Sequence, residues 1–370
     1  MPAGSGRFSH ILSASLFAIL LLLSASAGPA LALGRAPGGY AVGVRSLSVL
    51  SPEKVQLGVM VWYPSTRSGQ GDSKCNFGPW VLRAEKDAPL AEVRAPVVII
   101  SHDSSGHSLS HHETAAALAA RGFVVIAPTH AGDSMENASA MYSAALLYFR
   151  PLQALEALEA VAASPVFAGS LDLQRVGLLG VGAGALTALQ LGGVDIDASA
   201  YSGYCLSFPA DAALCSRRAE ERLGLLPAEL REIRRRRGRN APAAPFPYSV
   251  RALGLLTPGW LVFAKKEALS ALKTPLAALF AGADGLYPPA RDLEEARRLF
   301  SLPLEDETRF LALENADHYS LSAQCPAGAA GELPEICGEK RGEEREELML
   351  QRDAFFSSFF LSTLGKPLPR

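Results

Sequence analysis

The sequence predicts an α/β fold: a mostly parallel central sheet flanked by helices, with an inserted helical segment. Three observations carry that expectation. Short apolar runs alternate with amphipathic stretches of helical length. One of those runs, Val176 to Leu179, enters the glycine-rich turn Gly180-Val181-Gly182-Ala183-Gly184 and then a helix, Leu186 to Leu191. After two later strands come an aspartate, Asp284, and a histidine, His318.

The elements follow in order. Val42–Val49 and Val55–Tyr63 read as a β-hairpin around Ser51-Pro52-Glu53-Lys54. A polar, glycine-containing connection, 64–94, leads to Ala95–Ile100, an apolar run typical of a central parallel strand. A helix is expected over Glu113–Arg121, stopped by Gly122, and a strand over Phe123–Ala127, stopped by Pro128. A helix from about Pro151 to Ser164 precedes the glycine-rich turn. The region 195–249 breaks the rhythm with a charged helical stretch, Ala219–Arg237, and a proline-rich exit. It reads as an inserted cap over the sheet's carboxyl edge. Strands resume at Val250–Leu256, Pro275–Phe280 and Thr308–Leu313. An amphipathic helix, Glu343–Leu364, closes the chain, with Phe355, Phe356, Phe359 and Phe360 as its buried stripe.

The 370 residues are 49% hydrophobic and 19% charged, ample for a large core. A formal net charge of −2 argues against general nucleic-acid binding. The start of the chain reads as a cleaved signal peptide, residues 1–32. Arg7 precedes an apolar run, Ile11–Leu23, and both Ala25-Ser26-Ala27 and Ala30-Leu31-Ala32 fit a cleavage site. Secretion or a periplasmic location follows, with the fold in 38–366. Cys205 with Cys215, and Cys325 with Cys337, are candidate short-range disulfides in an oxidising compartment; Cys75 is left over.

Ligands of open parallel sheets bind beyond the carboxyl ends of the strands. The glycine-rich turn falls there, and its strand–turn–helix setting is that of the G-x-S-x-G nucleophile elbow of α/β-hydrolases. Gly182 stands at the nucleophile position. Asp284 and His318 follow in the order acid then base, in which the histidine moves the proton and the buried acid fixes its tautomer. The oxyanion hole uses the N–H after the nucleophile, here Ala183, and one from the loop after the first central strand, here Asp103-Ser104.

The chain resembles the exported, predicted dienelactone-hydrolase group related to platelet-activating-factor acetylhydrolase, over roughly residues 38 to 364. The resemblance rests on VGVRSLSVLSPEKVQLGVMVWYPS, FGPWVL, PVVIISHD, ARGFVVIAPTHAGD, RVGLLGVGAG, GADGLYPP and ADHYSLSAQC. It implies an α/β-hydrolase fold and hydrolysis of small carboxylic esters, lactones or short acyl esters of lipids, without a metal or other cofactor. It also supports the pairings Cys205/Cys215 and Cys325/Cys337.

Two departures fall on the machinery. Gly182 replaces the serine, and Asp103 replaces the glycine usual after His102. A carboxylate pointing inward there would repel a developing oxyanion. Removing a serine nucleophile costs about a million-fold in turnover. The expectation is a catalytically impaired hydrolase or a ligand-binding pseudoenzyme for a small ester, lactone or lipid-like molecule, with Asp284 and His318 as remnants. Two alternatives keep activity. Ser104, Ser105 or an activated water could attack, provided the group reaches His318. A metal could act through the histidines near the mouth: His102, His107, His111, His112 and His130. The run Arg234-Arg235-Arg236-Arg237-Gly238-Arg239 reads as a solvated helix end or a weak contact with an anionic membrane surface.

Overall fold

The computed structural model describes residues 39–51, 54–66, 73–237, 246–287, 309–326, 328–329, 334–337 and 342–369. The expected signal peptide, 1–32, lies outside the described residues, as do Gly238 and Arg239. The strands are β1 (Ala41–Leu50), β2 (Gln56–Ser65), β3 (Cys75–Phe77), β4 (Trp80–Leu82), β5 (Glu85–Lys86), β6 (Val93–Ser101), β7 (Val124–Pro128), β8 (Leu171–Val181), β9 (Val250–Leu256), β10 (Leu276–Ala281), β11 (Phe310–Leu313) and β12 (Leu368–Pro369). The helices are α1 (His112–Ala119), α2 (Ala144–Ala163), α3 (Gly184–Leu191), α4 (Tyr204–Ser207), α5 (Arg217–Leu223), α6 (Leu226–Arg237), α7 (Lys266–Ser270), α8 (Pro334–Cys337) and α9 (Gly342–Leu364).

Among the described residues the main sheet runs β11-β10-β9-β8-β6-β7-β2-β1-β5, with β12 added against β6. The stretch from β7 to β11 is parallel, and β2 and β1 attach as an antiparallel hairpin. Alternate residues of β6 face opposite layers, as the strand period of two requires. Val97 and Ile99 pack with α2 and α3 through Ala154, Leu158, Ala185 and Leu189. Val98 and Ile100 pack with α1 and α9 through Ala115, Leu118, Phe356 and Phe360. Phe356, Phe359 and Phe360 are buried, whereas Phe355, expected in the same stripe, is only half-buried.

Two expectations are corrected here. The helix expected from Pro151 begins at Ala144, so Pro151 lies inside it. A proline there leaves the carbonyl four residues back without its helical partner. That carbonyl, of Leu147, accepts a bond from Gln190 Nε2 of α3 at 2.9 Å, which satisfies it by a tertiary contact. The helical stretch expected over Ala219–Arg237 is two helices, α5 and α6, divided at Gly224-Leu225. Glu229 of α6 accepts the Ala144 N–H at the start of α2 at 2.8 Å.

The strand order places the site. β6 has β7 on one side and β8 on the other, so the connections leaving β6 and β8 diverge over the sheet's carboxyl edge. A crevice at such a switch point is where open α/β sheets bind ligands. Register sets Ser101 opposite Gly180, which brings the loop beginning at His102 against the turn at Gly182.

Candidate active site

Gly182 has a φ of +51°, the left-handed backbone of a sharp strand-to-helix turn. Its N–H donates to the Leu256 carbonyl at 3.0 Å and its carbonyl accepts from Gly259 at 2.9 Å, so the turn is clamped to the loop after β9. Gly184 packs on the Ser101 and His102 carbonyl region so closely that a β-carbon would overlap it. That approach lowers the start of α3 onto the end of β6.

The space above Gly182 holds the Asp103 carboxylate. A β-carbon added at Gly182 would lie within 2.5 Å of all three carboxylate atoms. Asp103 Oδ1 accepts the Ala183 N–H at 2.6 Å and the Tyr287 hydroxyl at 2.9 Å. Asp103 Oδ2 lies 2.9 Å from His318 Nε2, and Asp284 Oδ2 lies 2.9 Å from His318 Nδ1. Asp284 is itself held by the N–H groups of Leu286 and Tyr287, each at 2.8 Å to Oδ1. Asp103 therefore takes both the expected serine's place beside the histidine and the oxyanion donor of Ala183. The start of α3 adds its favourable dipole to that negative charge.

Charge states follow from the partners. Both neighbours of the His318 ring are carboxylates, which only accept, so both ring nitrogens donate and the ring is an imidazolium. Burial opposes that charge, but Asp103 and then Asp284 outweigh it and carry the His318 pKa up to about 10. Burial likewise opposes charge on Asp103. The hydrogen bond and charge of His318, with the Ala183 and Ser104 N–H groups, hold its pKa below the ordinary value. Burial, then the facing Asp103 carboxylate, raise the Tyr287 pKa well above its ordinary value, so it stays a phenol donor.

Beneath this centre lies a second buried polar layer. Arg150 binds Asp133 at 3.1 Å, with 4% and 0% of the two side chains exposed. Asp133 Oδ1 accepts the Ser104 hydroxyl and the Ser105 N–H, each at 2.9 Å. His102 donates from Nδ1 to the Asp103 carbonyl at 2.6 Å and accepts the His130 N–H at Nε2 at 2.9 Å. His130 bonds Ser101 at 2.8 Å and Gln153 at 3.1 Å. Burial, then the charge of Arg150, lower the His102 pKa to about 3. The loop after β6 is thus held from below by buried hydrogen bonds and an ion pair.

Comparison with known proteins agrees with this fold. Residues 82–212 match the model of the dienelactone hydrolase family. Over that stretch the chain is similar to the dienelactone hydrolase family, and its architecture is an α/β-hydrolase fold. Its fold is similar to that of a ferulic acid esterase from Streptomyces cinnamoneus, with a TM-score of 0.53 and 17% identity over 89% of this chain and 92% of that one. It is also similar to an acylaminoacyl peptidase from Pyrococcus horikoshii, with a TM-score of 0.51 and 14% identity over 88% of this chain. There it spans 42% of the longer protein. No curated protein is similar in sequence.

The remaining sequence candidates have other surroundings. The Ser104 hydroxyl donates to Asp133, and the buried Ser105 hydroxyl has no hydrogen-bond partner among the described residues. His107 pairs with Glu136 at 3.0 Å, and His112 lies 3.5 Å from Glu113. His111, buried just ahead of α1, has its pKa lowered well below the ordinary value by burial and then by Arg352. Among the described residues no three histidine, cysteine or acidic side chains are placed to share a metal. Asp317, the other acid near the base, caps the turn at Ser320. Cys205–Cys215 and Cys325–Cys337 are disulfide-bonded and Cys75 is a free, half-buried thiol. Arg235 is exposed and bonded to Glu232. Within residues 198–227 a cleft of about 460 Å³ is lined by Tyr201, Leu206, Glu220, Leu223 and Pro227, apart from the triad residues.

Sequence reasoning missed Tyr287, Asp133 and Arg150. Tyr287 stands three residues after Asp284 in the same turn, a position that could have marked it. Arg150 and Asp133 carry no local signal, because their pairing joins a helix to a loop.

Proposed function

We propose that this protein does not carry out serine ester hydrolysis, and that toward esters its site binds without turnover. The observation behind this reading is Asp103. Its carboxylate fills the place of the missing hydroxyl and accepts the Ala183 N–H that would otherwise stabilise a tetrahedral oxyanion. At the Gly182 turn an acyl substrate finds no hydroxyl nucleophile, and the Ala183 N–H is already taken by Asp103. His318, held as an imidazolium, is not a base in that state. The family match and the ferulic acid esterase likeness favour small carboxylic esters or lactones as the ligand class.

We read residues 195–249 as an inserted cap on a domain spanning 38–366. Two disulfides favour an oxidising compartment, which agrees with an amino-terminal export signal. No helix among the described residues is long and apolar enough to cross a membrane. The test is a serine-reactive fluorophosphonate together with a panel of short-chain esters. The expected result is no covalent label and turnover at the background rate. Stoichiometric labelling at Ser104 or Ser105 would overturn the reading.

A further inference from the structure

We propose that Asp103 is a carboxylate nucleophile, and that the centre it forms with Ala183, Tyr287, His318 and Asp284 hydrolyses substrates whose electrophile is a saturated carbon bearing a stable anionic leaving group, such as a primary alkyl halide. The proposal rests on the reading that serine acyl chemistry is absent, and goes beyond it. Loss of a serine alone leaves a vacant glycine turn. It does not require a carboxylate seated at once on the base and on the oxyanion donor.

The geometry selects the nucleophile. Carboxylates are competent covalent nucleophiles, and a histidine beside one can serve as the base for hydrolysis of the ester it forms. Asp103 Oδ2 is 2.9 Å from His318 Nε2, the relation a nucleophilic hydroxyl has to its base. Its side chain keeps 15% exposure, so it is reachable from solvent, whereas Asp284 at 2% serves only the ring. The loop that carries Asp103 is held by Arg150, Asp133 and His102, which presents the carboxylate in a fixed orientation.

The geometry also selects the electrophile. Attack on an acyl carbon needs donors around the substrate's own oxygen, and here Asp103 Oδ1 occupies them. Attack on a saturated carbon develops no carbonyl oxyanion and needs none. The donors become useful in the second step, because the carbonyl then attacked is that of Asp103 itself. Its Oδ1 already faces the Ala183 N–H at 2.6 Å and the Tyr287 hydroxyl at 2.9 Å.

The steps balance. An Oδ2 lone pair forms the carbon–oxygen bond while the carbon–halogen bond breaks, and halide leaves with its electron pair. Asp103 is now a neutral ester, so His318 loses the stronger of its two carboxylate partners while its burial remains. The ring releases its Nε2 proton to solvent. Neutral His318, oriented by Asp284, then takes a proton from a water that attacks Asp103 Cγ. The tetrahedral oxyanion forms on Oδ1. It collapses as His318 protonates the departing alkoxide, which gives the alcohol and an Asp103 carboxylic acid carrying one oxygen from water; that acid then passes its proton to His318, restoring the carboxylate and the imidazolium. The net reaction is alkyl halide plus water to alcohol, halide and a proton.

The experiment exposes the full folded protein to a primary bromoalkane such as bromobutane. Bromide release, intact mass and peptide mapping are followed, with a single turnover in heavy-oxygen water. The wild type is expected to release bromide and to gain one heavy oxygen in Asp103. Asp103→Asn should fall to the rate without protein. His318→Gln should stop at the alkylated Asp103, because only the second step needs the base. The proposal is overturned if wild type and His318→Gln, both folded by circular dichroism, remain unalkylated at Asp103. It is equally overturned if the label falls on His318. A parallel fluorophosphonate arm separates the two readings: labelling of Ser104 or Ser105 sinks the loss of serine chemistry, while its absence with no bromide release sinks only the nucleophile.

Discussion

His318 and His102 are both buried at the carboxyl edge of the sheet, on the loops that follow β11 and β6, yet they hold opposite charge states. Burial pushes both toward the neutral form. His318 has a carboxylate on each nitrogen and stays charged, with its pKa at about 10. His102 has a carbonyl on one nitrogen, an N–H on the other and Arg150 beside it, and stays neutral, with its pKa at about 3. Neighbours, not depth, decide the protonation. Asp103 belongs to both regions: its carbonyl orients His102 and its carboxylate charges His318.

The largest expected effect comes from emptying the seat that Asp103 fills. Gly182→Ser alone should gain no ester turnover, because the new side chain would overlap the carboxylate. The double variant Asp103→Gly/Gly182→Ser vacates that space and frees Ala183 N–H. It should raise hydrolysis of chromogenic short-chain esters about a thousandfold or more, a part of what a serine nucleophile contributes. Equal gains from the single variant would show that Asp103 does not block the position.

On the His102 side, Arg150→Met strips the cation from Asp133, which is fully buried. A buried charge left without its partner costs about 3–5 kcal/mol, read from denaturant midpoints. A loss within about 0.5 kcal/mol, the range of an ordinary surface substitution, would mean that the lower polar layer does not hold the loop.

A smaller change sharpens the His318 side. Asp103→Asn removes one charge while keeping the shape. The His318 pKa should fall from about 10 toward its ordinary value, as followed by ring-proton NMR, while that of His102 stays near 3. Equal movement of both would dissolve the contrast.

The smallest effects lie in the pH dependence of stability. Below pH 6.5 the unfolded chain protonates His102, His111 and His130, which the folded chain keeps neutral, so stability falls as pH falls, the His102 share down to about 3. Asp103, with its lowered pKa, loses its contribution in the same direction. Above pH 6.5 the folded chain retains a proton on His318 that the unfolded chain has released. That contribution is full below pH 6.5 and is lost as pH rises through about 10. Thermal unfolding across pH should therefore decline on both sides of a neutral maximum. Asp103→Asn should flatten the alkaline limb first.

Much of the architecture was legible because it is written locally. Apolar runs bounded by Gly122 and Pro128 marked strands, and the turn 180–184 marked the elbow. The start of α2 was misread because Pro151 looks like a helix start. The tertiary bond from Gln190 satisfies the Leu147 carbonyl that Pro151 cannot pair inside the helix. Asp103 was legible as a carboxylate near the oxyanion hole, a source of repulsion if it pointed inward. Its actual seat was not legible, because residues 103 and 182 meet only through the pairing of Ser101 with Gly180 across two strands.

By itself, then, the chain determined which elements form, that the elbow lacks a hydroxyl, and that an acid and a histidine follow it in order. Those depend on periodicity, residue type and sequence order, which a linear chain carries. Only the tertiary structure decided that a side chain from another loop fills the glycine's empty volume and that His318 bridges two carboxylates. Charge state and contact depend on distances between residues far apart in sequence, and those distances are set by sheet register and packing.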